Sequence, residues 1–330
     1  AEGGIIYNKA KTQIVFASDA ITDVVISATV TDITNAFSDK ISLRSVIFPA
    51  ESRITSIGYG AFYNCSSLTS IEIPNSVTSI GGSAFLGCCS LTSVTFGENS
   101  QLSSIESFAF NNCNSLTDIE IPNGVTSIGS SAFNNCNSLT GIEIPNGVTS
   151  IGGGAFQSCS SLTSIEIPDS MTSIGNDTFN GCSSLTSIEI PDSVTSIGDY
   201  AFRNCSSLAN IEIPSKETRI GWCTFSKCSS LTSIEIPSGV TNIENSAFFG
   251  CSSLKSVEIP SGVTSIDENA FSGCSSLTSV TFGENSQLTS VGDNAFSNCN
   301  SLVGIEIPSG VTNIGEYAFA YCSNLTSAGI

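Results

Sequence analysis

Leu185-Thr186-Ser187-Ile188-Glu189-Ile190-Pro191, then Val194-Thr195-Ser196-Ile197-Gly198, then Ala201-Phe202 and Cys205, make one turn of a repeating phrase that restarts 23 residues later at Leu208. A fixed period of roughly 20 to 50 residues marks a stacked array. Full phrases begin at Leu43, Leu68, Leu91, Leu116, Leu139, Leu162, Leu185, Leu208, Leu231, Leu254, Leu277 and Leu302. An imperfect one precedes them, with Ile21, Val24, Ile26, Val30, Ile33 and Ala36-Phe37 in the same places. Strand alternation turns Leu185, Ile188 and Ile190 inward and Glu189 outward. Pro191 ends that strand. Val194 and Ile197 form a second inward pair on a short second strand, Gly198 allows a bend, and Ala201-Phe202 opens a single helical or 3₁₀ turn closed by Cys205. The expected fold is an α/β repeat solenoid with a parallel β-sheet, short second strands and 3₁₀ or helical turns. One coil has too few apolar side chains to offset the entropy of ordering it, so each depends on its neighbours.

Three coils are two residues longer. They carry Phe48-Pro49-Ala50-Glu51-Ser52-Arg53-Ile54, Phe96-Gly97-Glu98-Asn99-Ser100-Gln101-Leu102 and Phe282-Gly283-Glu284-Asn285-Ser286-Gln287-Leu288. There Phe replaces the strand-ending Ile as a larger core residue and the turn is expected to bulge. Residues 5–16 hold two β-prone runs about a polar turn, which predicts a hairpin covering the first coil. The organisation is a hairpin cap over 1–20, an array of about 13 coils over 21–324, and the first strand of an incomplete coil over 325–330.

The pattern Leu-x-x-Ile-x-Ile-Pro-x-x-Val-x-x-Ile-Gly-x-x-Ala-Phe-x-x-Cys resembles the Treponema-type leucine-rich repeat of BspA-like surface proteins, over about residues 21–330. The resemblance implies a curved rod, a cell-surface or extracellular location, and members that adhere to host proteins or other microbes. It supplies no catalytic residues and no cofactor.

Fourteen cysteines suggest disulfides, but twelve of them fall one per repeat, from Cys65 and Cys88 to Cys299 and Cys322. In stacked coils their Cβ vectors run parallel, whereas a disulfide needs them to converge. Buried free thiols are expected. Only Cys89 and Cys223 leave the register: a tolerated small side chain explains each, and a vicinal Cys88–Cys89 bridge is the alternative.

Ten basic against 29 acidic residues give a formal charge of −19, which argues against nucleic acid. Residues 1–65 are near balance, with Lys9, Lys11, Lys40, Arg44 and Arg53 against six acids. No apolar run is long enough to span a membrane. The opening at Ala1-Glu2 without Met fits an exported product whose signal has been removed, as does an arbitrary start. The acidic residues Glu120, Glu143, Glu166, Glu189, Glu212, Glu235 and Glu258 take one outward position in consecutive coils, with Glu72 and Glu306 beyond them. Such a row is either a solubilising surface or a binding stripe for a basic protein or Ca²⁺, although no Ca²⁺ motif is present. A second row, Thr126, Thr149, Thr172, Thr195, Thr218, Thr241 and Thr264, could match an ice lattice, but hydroxyl bonding between strands explains it equally. Asn64, Asn176, Asn204 and Asn324 head glycosylation sequons.

For chemistry the chain is poor: it has no histidine, no cysteine pair at zinc-site spacing and no phosphate-cradling glycine loop. It does not read as an enzyme. The sharpest departures from the repeat are Arg203, Lys216-Glu217, Arg219, Trp222-Cys223 and Lys227, which put bases and an aromatic into two adjacent coils. Drift within a repeat explains them, as does a local contact patch, since Trp and Arg are favoured in interfaces. A third candidate is the final edge at Leu325, Ala328 and Ile330. An uncovered strand recruits another, and a head-to-tail contact there would build a homopolymer. The reading is a non-enzymatic extracellular protein that binds a protein partner; the alternative is a subunit of a head-to-tail filament.

Overall fold

The period becomes a parallel-sheet solenoid of about 13 turns, in a computed structural model that describes residues 4–329. The chain divides into two compact units, Ala1–Ser170 and Met171–Ile330. In the first, Ile5–Tyr7 and Ile14–Ala17 pair antiparallel as the expected hairpin, burying Ile5, Ile14 and Ala17. The first strand row stacks parallel and in register, Ile71 on Val94 and Glu72 on Thr95. The second row is a five-stranded ladder, Ser56–Ile57, Ser79–Ile80, Ser104–Ile105, Ser127–Ile128 and Ser150–Ile151. Its inward isoleucines are at most 9% exposed. In the second unit the same two rows hold Ser256–Ile259, Ser279–Phe282, Gly304–Glu306 and Ser327–Gly329, and a five-stranded ladder from Arg219–Ile220 to Asn313–Ile314.

The third side of each coil corrects the sequence reading. Among the described residues there is no helix and no 3₁₀ segment, so the class is all-β rather than α/β. The residue before each Ala-Phe pair and the residue before each ladder Cys sit at left-handed φ. Tyr200 (60°), Asn204 (59°), Cys223 (53°) and Lys227 (62°) are examples. Left-handed residues at that spacing forbid the consecutive right-handed backbone a helix needs. Every second N–H donates to the following coil instead: Phe62 to the Ala84 carbonyl at 2.7 Å, Phe202 to that of Thr224 at 2.9 Å. Gly198 serves close approach rather than a bend, since an added Cβ would lie 2.5 Å from the Asn176 nitrogen. The Phe residues stack as expected. Centroids are 5.1–5.6 Å apart from Phe37 to Phe156 in the first unit, and 5.1–5.7 Å from Phe179 to Phe319 in the second.

The longer coils do turn through left-handed Asn99 and Asn285. Phe48, Phe96 and Phe282 are only half-buried, however, and so are not the enlarged core residues expected of them.

All fourteen cysteines are free, and the ladder thiols line up unlinked. Within each unit they donate to the Phe carbonyl of the preceding coil, as Cys159 does to Phe133 at 3.1 Å and Cys205 to Phe179 at 3.2 Å. Burial pushes the Cys65, Cys159, Cys205, Cys251 and Cys299 thiols up to about 12. Cys88 is buried while its neighbour Cys89 faces solvent, so the two thiols do not form the vicinal bridge.

Candidate surface contact site

The glutamate row is regular and fully outward. Glu120, Glu143 and Glu166 are exposed in the first unit, with Glu120 and Glu143 direct register partners. Glu189, Glu212, Glu235 and Glu258 are exposed in the second. Among the described residues no group of three or more His, Cys, Asp or Glu side chains is placed to hold a metal ion, and no helix is long and apolar enough to cross a membrane. Most of the threonine hydroxyls are engaged with the coil before: Thr149 donates to the Thr126 carbonyl, Thr195 to Thr172 and Thr264 to Thr241. Each closes the gap to the coil before it, which accounts for the row structurally. Of the sequon residues, the Asn64 and Asn204 amides donate to Asp39 and Asn180, whereas Asn176 and Asn324 are exposed. At the final edge Leu325 is half-buried and Ala328 pairs in register with Ile305; Ile330 lies outside the described residues. These contacts are internal to the chain and lend the filament no support beyond the sequence.

The irregular coils are different. Glu217 occupies the inward place held by Val194 and Val240 in the neighbouring coils and is 3% exposed. A carboxylate there must find donors, because burying it unpaired costs several kcal/mol, on the order of 3–5 for a broken buried pair. It takes three backbone N–H groups: Ile197 at 2.6 Å, Thr218 at 3.0 Å and Arg219 at 3.3 Å. Those donors then leave the ladder. Ser196–Ile197 pairs only with Ser173–Ile174, and Arg219–Ile220 only with Asn242–Ile243. Glu217 thus cuts a seam in the second strand row. Around the same coil the first row loosens too: among the described residues it has no strand between Leu185 and Ile236. A few backbone bonds between the coils remain there, such as Ala209 to Thr186 at 3.2 Å and Thr232 to Ala209 at 3.3 Å.

On the outer side of this seam the structure gathers most of the departing residues and adds two that the repeat comparison missed, Asp199 and Tyr200. Arg219 donates to Asp199 at 2.9 Å and to Glu244 at 2.8 Å. Burial opposes its charge, but those bonds hold its pKa above the ordinary value. Asp199 also accepts the Trp222 N–H at 3.1 Å. The Trp222 ring, 49% exposed, lies 5.9 Å from the Tyr200 ring at 33°. The Arg203 guanidinium lies over the Tyr200 ring at 5.6 Å, with its Nε buried and unpartnered. Burial raises the Cys223 thiol, opposed by Arg203 and by a hydrogen bond with Ser246; burial likewise raises the Tyr200 phenol. Lys227 is exposed in the turn of the next coil. Lys216 does not join the group: its Nζ donates to the Asp192 carbonyl at 3.3 Å. Tyr200 shares its left-handed place with aromatics in two other coils, Phe108 and Tyr317, where most coils carry Gly, Ser or Asn, so the letter alone did not single it out; Arg203 and Trp222 beside it do.

The profile of the BspA type leucine rich repeat region matches in six copies over residues 12–140, 126–255 and 241–330. A leucine-rich repeat protein from Bacteroides ovatus is 31% identical with a TM-score of 0.76, the alignment covering 100% of this chain and 88% of that one. A leucine rich cell surface protein from Faecalibacterium prausnitzii is 32% identical, with a TM-score of 0.51 and coverage of 90% and 97%. The pneumococcal vaccine antigen PcpA, 20% identical with a TM-score of 0.51 over 95% and 93%, shares the fold. No curated protein sequence matches.

Proposed function

We propose, from the premise that the chain belongs to the BspA-type leucine-rich repeat family, that it is a non-enzymatic cell-surface or extracellular protein that binds another protein through the patch around Trp222. The observation that carries this reading is the exposed Tyr200–Trp222 pair with Arg203, set where both strand rows are interrupted. Trp, Tyr and Arg are the residues enriched where interfaces concentrate their energy. Other aromatics are exposed, Tyr59, Phe108, Tyr317 and Tyr321 among them, but among the described residues none pairs with a second exposed ring beside a guanidinium, and the repeated small hydroxyls and outward carboxylates offer any partner the same contacts at many registers. The glutamate rows then act chiefly to keep the array soluble and to repel wrong partners. A cell-surface setting is supported by the name of the Faecalibacterium relative.

The test is capture on beads carrying the protein from a surface extract of cells it meets, comparing Trp222→Ala and Arg203→Ala with Glu143→Gln. Loss of the captured protein with the first two and retention with the third is expected. Equal capture by all would remove the patch from the reading, and loss only with Glu143→Gln would move binding to the acidic row.

A further inference from the structure

The proposed contact surface leaves open what a partner must bring to it, and the cations of this region narrow that choice. Between Met171 and Ile330 the sequence has five bases, Arg203, Lys216, Arg219, Lys227 and Lys255, among fifteen acids. Arg219 is committed to Asp199 and Glu244, and Lys216 is turned to a backbone carbonyl. Arg203 makes no ion pair among the described residues even though Asp177 and Asp199 lie close enough to act on the adjacent Tyr200 phenol. Its guanidinium lies over the Tyr200 ring at 5.6 Å, and its Nε is buried. Only the two terminal nitrogens remain for an outside group. Approached end-on, they present the two parallel donors that match a carboxylate.

Resting on that reading of the patch, we infer that Arg203 is the anchor for a peptide carboxylate whose flanking aliphatic side chains lie on Tyr200 and Trp222. The exposed Trp222 face supplies the apolar floor beside the anchor. The acidic surroundings select against multiply charged anions: a phosphate or polyanion meets the repulsion of the whole acidic surface at every charge, while a single carboxylate meets it once and is screened beyond about 8 Å at physiological salt. Nucleic acid is disfavoured on the same ground.

Trp222 is the one tryptophan of the chain, so intrinsic fluorescence reports this site alone. The whole protein is titrated with acetyl-Leu-Glu-Leu-amide and with its Gln and Lys counterparts. A saturable change with the Glu peptide is expected, weakened about tenfold or more by the Gln peptide and by Arg203→Ala, as loss of a charge-assisted bond requires. Lys216→Ala should bind as the parent does, and Arg203→Lys should fall between, having lost the fork. Affinity should change little with salt, because local attraction and distant repulsion are screened together. An equal response to the Gln or Lys peptide overturns the carboxylate chemistry while leaving the contact surface standing. No response to any peptide, with Trp222→Ala still abolishing capture on beads, overturns this inference alone; no response with capture also unaffected removes both.

Discussion

Raising the pH tests the file of buried thiols. In the unfolded chain each cysteine ionises near 9, whereas in the folded coil burial holds Cys65, Cys159, Cys205, Cys251 and Cys299 up to about 12. A raised folded value means the stability is fully present below about 9 and is lost as the pH climbs towards 12, because the unfolded state gives up protons that the folded state keeps. At about pH 10 each such thiol costs roughly 1.4 kcal/mol, so these five together remove roughly 7 kcal/mol, comparable with the whole stability of an ordinary domain. Cys88, Cys113, Cys136, Cys228 and Cys274, also pushed well up by burial, add to the loss. Urea midpoints measured at about pH 8 and about pH 10 under reductant and without oxygen should fall steeply, and the ultraviolet absorbance of thiolate should rise only with the loss of the β signal. An unchanged midpoint, or full thiolate absorbance with the fold intact, would show that the thiols are not sealed between coils.

The seam at Glu217 predicts two opposite changes. Glu217→Val restores the residue of the neighbouring coils and lets Ser196–Ile197 rejoin Arg219–Ile220, raising stability by about 1–2 kcal/mol in a thermal melt. Glu217→Gln turns a donor towards backbone N–H groups and lowers stability by about 1–3 kcal/mol. Phe202→Ala removes a ring stacked on both sides, at 5.5 Å from Phe179 and 5.7 Å from Phe225; denaturation should show a loss of about 3–5 kcal/mol, with Phe202→Leu milder. Glu143→Gln, beside exposed Glu120, should stabilise slightly at low salt and have no effect at high salt, as relief of like-charge repulsion demands.

What the sequence revealed followed from strict periodicity. Any residue that recurs every 23 positions must meet its own copy, so the Phe stack, the thiol file and the paired strands could be read from spacing alone. The turn after Gly198 was misread for a local reason. Ala-Phe followed by Cys is compatible with a helical turn, and only the competition for N–H groups by the next coil, expressed as left-handed Tyr200 and Asn204, decides against it. The contact patch was half legible. Arg203, Arg219, Trp222 and Lys227 stood out as foreign letters in the repeat, but nothing in the spacing told that Asp199 and Glu244 hold Arg219. Glu217 was among the departing letters, but that its column is inward, leaving the carboxylate buried, emerged only from the structure.

That column links the architecture to the proposed role. In a stack each coil's backbone donors are spent on its neighbours, so a regular coil has little left with which to single out a partner. Exchanging the inward Val for Glu217 withdraws the Ile197, Thr218 and Arg219 donors from inter-coil pairing. The coil at Leu208 is then free to depart from its neighbours, and the next turn carries Trp222 on a backbone tied down through Asp199 instead. If the seam exists to permit the patch, Glu217→Val should repair the ladder and at the same time weaken partner capture, although residue 217 is buried and can touch no partner. Gain of stability with undiminished capture would separate the two and reduce Glu217 to a tolerated fault in the repeat.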